Sequence, residues 1–375
     1  MIPFNAPAAV GRELEYLLQA AASRHLAGDG PFTKRCEAFL QQYQQAPRVL
    51  LTTSCTHAME MSALLLDVGP GDEVIVPSFT FVSTANPFVL RGATPIFADI
   101  RPDTLNLDER ALDGLISPRT RAIAVVHYAG VGCEMDAIMA TADRAGVTVV
   151  EDNAHALFGR YRGRALGSFG PMATLSFHDT KNFTSGEGGA LILNDPALAE
   201  RAEILREKGT NRSRFFRGQV DKYTWVDVGS SYVPSELLAA FLFGQLEQHE
   251  LVQSRRARIF ARYRSELESW AGEQQVTLPF IPPHCDAAWH MFFLRLPDLA
   301  ARTRFIAEMK AREIHCVFHY LPLHLSPMGL RLGGRPGACP VTERVSDTLV
   351  RLPFYTTMTD EEQSRVIEAI HAFRA

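Results

Sequence analysis

The chain has 375 residues, of which 46% are hydrophobic and 21% charged, and its formal net charge is −4. This composition is typical of a globular protein, and the lack of a basic excess argues against nucleic-acid binding. No apolar run reaches the roughly 20 residues that a membrane-spanning helix needs. The first residues also lack the basic start and apolar centre of a signal peptide, so we expect a cytoplasmic protein.

The cysteines are scattered along the chain without a CxxC pair. This spacing argues against both a disulfide framework and a structural zinc site, and we predict no metal site. A reduced, cytosolic compartment is the expectation that follows. The six cysteines are Cys36, Cys55, Cys133, Cys285, Cys316 and Cys339.

Two helices are predicted at the start of the chain, over residues 11–27 and 32–43, because apolar residues recur at helical spacing. From residue 48 onward, short strand-like runs alternate with longer helical runs. Several of the short runs are apolar on both faces, as in a buried parallel sheet. The alternation predicts an α/β sandwich of about seven strands, with ligands at the carboxyl ends of the strands. The predicted strands are residues 49–52, 73–77, 95–98, 122–126, 147–151, 173–177 and 190–193, and the helices between them include residues 57–67, 107–116 and 136–145.

The pattern changes after residue 193. Residues 209–232 form an aromatic and basic stretch without clear periodicity, and residues 235–270 are predicted as one long helix whose polar middle links two domains. We therefore divide the chain into residues 1–245, an arm and a large domain, and residues 246–375, the linking helix and a smaller α+β domain. The remaining predicted elements are helices 196–208, 299–312, 342–349 and 360–373 and strands 290–296 and 315–318.

A lysine follows one of the predicted strands, in the segment SFHDTKNFTSGEGGA, which is rich in hydroxyl groups and glycine. An amine at the carboxyl end of a strand can reach a bound cofactor. Lys181 can form a Schiff base with an aldehyde there, provided that its surroundings lower its pKa. An isolated lysine is more often a solvated turn residue, so this assignment depends on the other motifs.

The segment VVEDNAHA is an apolar strand that ends in two acidic residues. A carboxylate in this buried position stays ionised only beside a cation, and a protonated pyridine nitrogen, whose ring acts as an electron sink, is such a cation. We assign this role to Asp152 in preference to Glu151, and expect His155 to hydrogen-bond the phenolic oxygen of the same ring. The alternative is a helix cap for the acidic pair and a structural role for the histidine.

Two further motifs fit a ligand that has such a pyridine ring and a phosphate group. In TTSCTHA, a strand leads into a helix, and the amides of Cys55 and Thr56 with the Thr56 hydroxyl can bind a phosphate. Ser176 can add another hydroxyl from a neighbouring strand. In PSFTFVS, Phe81 is the candidate for stacking on a flat ring. Each signal is weak alone, because such hydroxyls are usually caps and such aromatic rings often pack in a core.

In chain order, these motifs give a phosphate-binding turn, a stacking aromatic residue, a carboxylate for a pyridine nitrogen and a lysine for a Schiff base. The combination predicts a pyridoxal 5′-phosphate (PLP) enzyme of the aspartate-aminotransferase (type I) fold. The expected fold class is α/β, with a seven-stranded, mostly parallel sheet in the large domain and a smaller α+β carboxyl-terminal domain.

The chain also resembles the DegT/StrS family of nucleotide-sugar aminotransferases over nearly its full length. The matching motifs are GPGDEV, PSFTFVS, VHYAG, ED, SFH with the following KN, and GEGG. Within the family, residues 209–236 resemble the branch that acts on dTDP-4-keto-6-deoxy-D-glucose. That branch uses L-glutamate to make dTDP-4-amino-4,6-dideoxy-D-galactose for surface glycans such as enterobacterial common antigen.

The resemblance implies a homodimer with active sites at the interface. Many members have an Asn-Tyr-Arg motif whose asparagine reaches the cofactor phosphate of the neighbouring subunit, where this chain has Ser231-Tyr232-Val233. Ser231 can still donate a hydrogen bond, whereas Val233 cannot. Cations are expected to bind the nucleotide diphosphate, and each candidate has a solvated or interface role as its alternative. The candidates for the diphosphate are Arg212, Arg214 and Lys222, and the other candidate substrate contacts are His319, Tyr320 and His324.

The implied mechanism is a ping-pong transfer in which Lys181 holds the cofactor and then moves a proton between the amino-acid carbon and the cofactor. Other nucleotide keto-sugars and the gluco epimer are alternatives within the enzyme class. A related dehydratase branch has histidine in place of the lysine, so Lys181 excludes it. A PLP-binding regulator without catalysis is disfavoured by the joint presence of Lys181 and Asp152. A P-loop is disfavoured because GEGG lacks a GK[ST] ending.

Overall fold

A computed structural model describes residues 1–375 of the chain. The strands are β1 (Arg48–Thr52), β2 (Glu73–Pro77), β3 (Thr94–Ala98), β4 (Thr120–Val126), β5 (Thr148–Asp152), β6 (Arg160–Tyr161), β7 (Arg164–Ala165), β8 (Met172–Ser176), β9 (Gly189–Leu193), β10 (Cys285–Asp286), β11 (Phe293–Arg295), β12 (Val317–Phe318) and β13 (Leu349–Arg351). The helices are α1 (Glu13–Ala22), α2 (Pro31–Gln44), α3 (Cys55–Leu65), α4 (Asn86–Leu90), α5 (Leu112–Leu115), α6 (Met135–Ala145), α7 (Ala199–Arg206), α8 (Arg212–Phe216), α9 (Glu236–Glu247), α10 (His249–Glu273), α11 (Leu299–Ala311), α12 (Pro327–Arg331), α13 (Pro340–Thr348) and α14 (Asp360–His371).

The large sheet has seven strands in the order β1-β9-β8-β5-β4-β2-β3. Only β9 runs antiparallel to its neighbours; the other six strands are parallel to one another. All seven predicted strands are present within two residues of their predicted bounds. The prediction of an α/β fold with a mostly parallel sheet is confirmed.

Side chains of the sheet alternate between two apolar layers, because successive residues of a strand point to opposite faces. In β4, Ala122 and Ala124 pack in one core cluster with α3, whereas Ile123 and Val125 pack in another with α6. Helices α1, α2 and α9 pack together over β1, β8 and β9 in a third cluster. Helices therefore cover both faces and leave the carboxyl edge of the sheet to the loops.

The parallel strands end at that edge, and the residues that follow them lie there. β1 ends at Thr52, β2 at Pro77, β5 at Asp152 and β8 at Ser176, and antiparallel β9 begins there at Gly189. Ligands of open α/β sheets bind outside the carboxyl ends of the strands. The loops that carry the predicted motifs consequently converge at a single edge of the sheet.

The small domain contains a three-stranded antiparallel sheet in the order β11-β13-β12. Helices α10, α11 and α14 enclose its apolar core, which also takes in Ile2 from the start of the chain. Ile2 pairs with Ile314 in an isolated parallel bridge. The first residues of the chain therefore contact the small domain, whereas α1 and α2 pack on the large one.

The linking region differs from the single helix predicted over residues 235–270. It consists of two helices that meet at Gln248, which has non-helical backbone angles. No glycine or proline marks the break, so the sequence pattern gave no sign of it. Leu246 and Val252 still pack in the large-domain core, and Ile259 begins the small-domain core. The chain thus passes from one domain to the other within the first turns of α10, a few residues after the predicted boundary.

Two other predicted helices differ from their expected bounds. The helix predicted over residues 107–116 is reduced to the one-turn α5 after a 3₁₀ turn, and the helix predicted over residues 342–349 ends at Thr348. Residue 349 instead begins β13, the central strand of the small sheet. None of the helices is long and apolar enough to span a membrane. No cluster of three or more histidine, cysteine, aspartate or glutamate side chains is arranged to hold a metal ion.

Glu236 supports the amino end of α2 from outside the helix. Its buried carboxylate accepts hydrogen bonds from the amides of Gly30 at 3.0 Å, Phe32 at 2.8 Å and Thr33 at 3.0 Å. We expect Glu236→Ala to lower the free energy of unfolding by about 3 kcal/mol, because buried amides lose their acceptor. Urea unfolding followed by circular dichroism measures the change. Glu268→Ala, at an exposed position of α10, is the control, and an equal effect in both variants would contradict the assigned support.

Candidate active site

Lys181 lies in the loop after β8 and differs from the other lysines of the chain. The chain has five lysines; Lys181 is half-buried, and the other four are exposed. Its ammonium group forms no hydrogen bond and no ion pair within 4.0 Å, while its backbone amide donates to the His178 carbonyl. The side chain lines a small cavity together with His155, Ser176 and His290. The structure thus places an unpartnered amine beside three of the polar groups at the sheet edge.

The surroundings of Lys181 lower its pKa. Burial is the main cause, and the nearby charge of Arg351 acts in the same direction. Asp152 opposes the shift, because the negative charge of its carboxylate favours the protonated form of the amine. The net direction is downward, so the neutral, nucleophilic amine forms at a lower pH than for an exposed lysine.

The two acidic residues at the end of β5 point to opposite sides of the sheet. Glu151 is fully buried, and it accepts hydrogen bonds from the amides of Gly167, Phe169 and Gly170 at 2.6–2.9 Å. It also pairs with the His127 ring at 2.9 Å. All of its acceptor capacity is used by the protein, so Glu151 has a structural role and the structure brings Asp152 to the site.

Asp152 keeps part of its acceptor capacity free. Its carboxylate accepts from the Thr84 hydroxyl at 2.7 Å and the Ala154 amide at 3.2 Å, and no cationic side chain lies within 4.0 Å. Thr84 is fixed in turn by the Thr80 hydroxyl at 2.8 Å. A buried carboxylate with only neutral partners is costly, and a cationic ligand group would relieve that cost.

The amino end of α3 forms the predicted phosphate turn. Ser54 caps the helix by accepting from the His57 amide, which leaves the amides of the first turn directed outward. The Thr56 hydroxyl lies 2.8 Å from the Ser83 hydroxyl. Burial raises the pKa of the Cys55 thiol to about 12, so this side chain stays neutral and its backbone amide is the group available to an anion.

Gly189 allows the turn to approach β9. A Cβ atom at this position would lie 2.3 Å from the carbonyl carbon of Ser54 and 2.4 Å from the amide nitrogen of Cys55. Any side chain here would therefore displace the turn. The GEGG motif supplies the residue that makes this close packing possible.

Three buried histidines border the site on the side of the small domain. His155 stacks on His290 with ring centroids 4.2 Å apart, and lies 6.2 Å from the ring of His319. Burial lowers the pKa of all three rings well below the usual value, so they are neutral. The Nδ1 atom of His155 is buried without a hydrogen-bond partner, which leaves it free for a ligand.

Tyrosines connect two of these rings to the rest of the site. The Tyr128 hydroxyl lies 2.7 Å from Nδ1 of His319, and the Tyr320 hydroxyl lies 3.4 Å from Nε2 of His155. The rings of His319 and Tyr320 are stacked at 3.5 Å. Two of the predicted substrate contacts, His319 and Tyr320, are thus close to the predicted cofactor residues.

The remaining predicted residues have varied positions. Phe81 is 57% exposed at the site edge, with its ring 6.5 Å from that of Tyr320, and Ser176 is half-buried beside Lys181. Ser231 is exposed and forms a backbone bridge with Glu207. Their ligand contacts stay predictions.

His324 and the basic residues of the loop lie outside this cluster. His324 is fully buried, with Nδ1 2.6 Å from the Ser78 hydroxyl and Nε2 3.0 Å from Glu343, a geometry that favours a structural role. The side chains of Arg212 and Lys222 are exposed, and Arg214 pairs with Glu200 at 3.2 Å. The structure does not bring these four predicted residues to Lys181 within one chain.

The structure also adds residues that the sequence reasoning missed. Thr84 holds Asp152, His290 stacks on His155, and Arg351 reaches the same cleft from β13. Thr84 lies only one residue beyond the PSFTFVS motif, and its hydroxyl was a usable signal. His290 and Arg351 carried no local signal, because only the packing of the two domains brings them to the site.

The order of elements and the positions of these groups agree with a known family. The model of the DegT/DnrJ/EryC1/StrS aminotransferase family matches residues 7–371 of the chain. The chain belongs to that family. Its members and structural neighbours are PLP-dependent sugar aminotransferases, so this protein is an enzyme of that class.

Relatives match the aminotransferase over nearly its whole length. The spore coat polysaccharide biosynthesis protein SpsC of Bacillus subtilis is 32% identical, and the match covers 98% of this chain and 96% of SpsC. The aminotransferase TlmJ from Streptoalloteichus hindustanus has a TM-score of 0.91 and 31% identity, covering 99% of this chain and 98% of TlmJ. The PLP form of the putative sugar aminotransferase Spr1654 from Streptococcus pneumoniae has a TM-score of 0.91 and 28% identity. The match covers 99% of this chain and 97% of Spr1654.

The residues of this aminotransferase fit PLP. Lys181 offers an unpartnered amine for the aldehyde, and Asp152 offers a buried carboxylate for the protonated ring nitrogen. The unpaired Nδ1 of His155 suits the phenolic oxygen, and the turn against Gly189 suits the phosphate. Each polar group of the cofactor would therefore have a partner of complementary chemistry in this site.

We expect Gly189→Ala to weaken PLP binding by at least about tenfold, because the new methyl group displaces the turn at Ser54 and Cys55. Titration of the apoprotein with PLP, followed by protein fluorescence, measures the affinity. Gly272→Ala is the matched control, since a Cβ atom there meets nothing within 4 Å. Unchanged affinity in the Gly189 variant would argue against a phosphate site at this turn.

We expect Lys181→Ala to abolish turnover and the covalent attachment of PLP while the protein stays folded. Borohydride reduction of the wild-type enzyme followed by peptide mass spectrometry should locate the cofactor on Lys181. Lys208→Ala, at an exposed lysine, should keep both properties. Attachment at any other lysine, or turnover in the Lys181 variant, would show the assignment to be wrong.

Proposed function

We propose that the enzyme transfers the amino group of L-glutamate to dTDP-4-keto-6-deoxy-D-glucose, giving dTDP-4-amino-4,6-dideoxy-D-galactose and 2-oxoglutarate. The observation that carries this proposal is the segment 209–236, whose sequence resembles the branch of the family with that activity. The name of the relative SpsC, a spore coat polysaccharide biosynthesis protein, supports a product used for surface glycans, of which enterobacterial common antigen is the proposed type.

The nucleotide diphosphate is proposed to bind the exposed cations of this segment. The Arg212 guanidinium lies 5.1 Å from the ring of Phe216 and 6.0 Å from that of Tyr223, and it has no carboxylate partner. Lys222 is also without an ion pair, whereas Arg214 is engaged by Glu200. Arg212 and Lys222 are therefore the stronger candidates for phosphate binding, because their charge is available to a ligand.

The same segment supports a homodimer. Its aromatic side chains are unusually exposed for a monomer: Trp225 is 78% exposed and Phe216 is 69% exposed. An exposed apolar patch of this kind marks an interaction site. We propose that a second copy of the chain covers it and that the segment completes the partner's active site, with Ser231 directed to the cofactor phosphate.

The residues of the chain divide the chemistry among them. PLP, when bound, supplies a ring that withdraws electrons from the carbon that loses its proton. Asp152 holds the proton on the ring nitrogen, and Thr84 fixes the orientation of that carboxylate. Lys181 would serve as the base that accepts the proton of the amino-acid carbon, because burial favours its neutral amine.

The sugar is proposed to lie against the side of the site formed by His319 and Tyr320. Burial raises the pKa of the Tyr320 hydroxyl, so this group remains a hydrogen-bond donor at neutral pH. Nδ1 of His319 is engaged by Tyr128, which leaves Nε2 for the ligand. Which face of the sugar meets Lys181 decides between the galacto and gluco products.

We expect the purified enzyme, supplied with PLP, L-glutamate and dTDP-4-keto-6-deoxy-D-glucose, to form an aminated sugar nucleotide with an axial amine. Mass spectrometry identifies the added amine, and proton NMR coupling constants give its orientation. The UDP-linked form of the same keto-sugar tests the nucleotide, and Lys181→Ala provides the inactive control.

Three other outcomes would change the proposal in different ways. An equatorial amine would keep the reaction class and replace the product by the gluco epimer. Faster turnover of another nucleotide keto-sugar would replace the substrate. Conversion of bound PLP by glutamate without any sugar amination would limit the error to the acceptor.

A further inference from the structure

Arg351 is directed from the small domain toward the active site. It ends β13, the central strand of the small sheet, where it lies opposite Phe293 of β11. Neighbouring residues of a strand point to opposite faces. Val350 packs in the small-domain core, whereas Leu349 and Phe293 pack against the large domain. Arg351 therefore shares the face that looks into the cleft between the domains.

The guanidinium of Arg351 has no polar partner in the protein. It donates no hydrogen bond, forms no ion pair within 4.0 Å, and its Nε atom is buried. The ring of Phe4 covers it at 4.4 Å. The two buried arginines of the chain differ in this respect: Arg206 pairs with Glu37 at 2.7 Å, and Arg256 donates to the carbonyls of Trp289 and His290 at 2.7–2.8 Å.

The groups that face Arg351 are neutral or cationic. Tyr128 and Tyr320 interact with its charge, as do the three neutral histidines and Lys181. Burial lowers the pKa of the guanidinium, yet it remains charged at neutral pH. A partly buried cation without an anion is costly, and a bound carboxylate or phosphate would offset that cost.

We propose that Arg351 binds the α-carboxylate of the amino-acid donor, an inference that rests on the proposed function. A guanidinium matches a carboxylate through two parallel hydrogen bonds. The α-carboxylate is one bond away from the carbon that reacts at Lys181. The diphosphate of a nucleotide sugar is attached across the sugar ring from the reacting carbon, so it extends away from this position toward the cations of the segment 209–236.

Arg351 consequently acts on only one of the two half-reactions. It anchors the donor while Lys181 moves the proton, and it releases its partner when the 2-oxo acid leaves. The keto-sugar has no carboxylate, so its half-reaction proceeds without this contact. Arg351 is thus proposed to determine which amino compounds the enzyme accepts as donors.

The test compares Arg351→Gln with Arg295→Gln in the PLP-loaded enzyme. Arg295 is a matched control, because it lies on the adjacent strand and donates to the Pro102 carbonyl rather than facing the cleft unpaired. Binding of L-glutamate, without any sugar, is followed through the absorbance of the bound cofactor. The second probe is 4-aminobutanoate, which is glutamate without its α-carboxylate.

We expect Arg351→Gln to weaken glutamate binding on the order of 10- to 100-fold, as for the loss of a charged hydrogen-bond pair. Binding of 4-aminobutanoate should be unchanged, and Arg295→Gln should behave as wild type with both probes. The free energy of unfolding of Arg351→Gln should not fall below that of the control, since the removed cation has no protein partner. Arg351→Lys should restore part of the glutamate affinity, because it keeps the charge but loses the planar fork.

Several results would overturn the proposal. Equal weakening of both probes, or a marked loss of stability, would assign Arg351 a structural role. A rise in the KM of the keto-sugar with unchanged glutamate binding would assign it to the diphosphate. If no amino acid converts the wild-type cofactor, both this proposal and the proposed function fail. If glutamate converts it but no sugar is aminated, only the acceptor of the proposed function fails.

Discussion

A buried carboxylate at the end of β5 is the constraint around which the active site is organised. Asp152 is held by one hydroxyl and one amide, and it faces the only lysine of the chain that is not exposed. The parallel register of β5 and β8 fixes this juxtaposition, because it brings the ends of both strands to one edge of the sheet. A cation would complete the environment of this carboxylate, and the protonated ring nitrogen of PLP is the cation that we propose.

Several polar groups without a protein partner lie together in this cleft. Elsewhere, buried charges such as Glu151, Glu236 and Arg206 have several partners each. In the cleft, the Lys181 amine, Nδ1 of His155 and the Arg351 guanidinium have none. Such groups reduce the stability of the free protein, and they are retained where a ligand uses them.

The sequence was informative where the chemistry is local. The seven strands and the positions of Lys181 and Asp152 at the sheet edge were predictable, because apolar runs followed by polar residues identify the edge of a parallel sheet. The break at Gln248 was not predictable, because no capping residue marks it. The strand β13 was not predictable either, because it has only three residues. Arg351 remained hidden for a related reason: it reaches the site only because β13 pairs between β11 and β12 and the small domain packs on the large one.

The first residues of the chain connect the small domain to the loop that carries Lys181. Ile2 is fixed in the core of the small domain, while the side chain of Asn5 donates to the carbonyl of Asp179, two residues before Lys181. Any displacement of the small domain, which carries Arg351, would therefore be transmitted to the loop that carries the lysine. By reciprocity, whatever reshapes that loop also shifts the position of the small domain. The first five residues thus join the loop of Lys181 to the domain that carries Arg351.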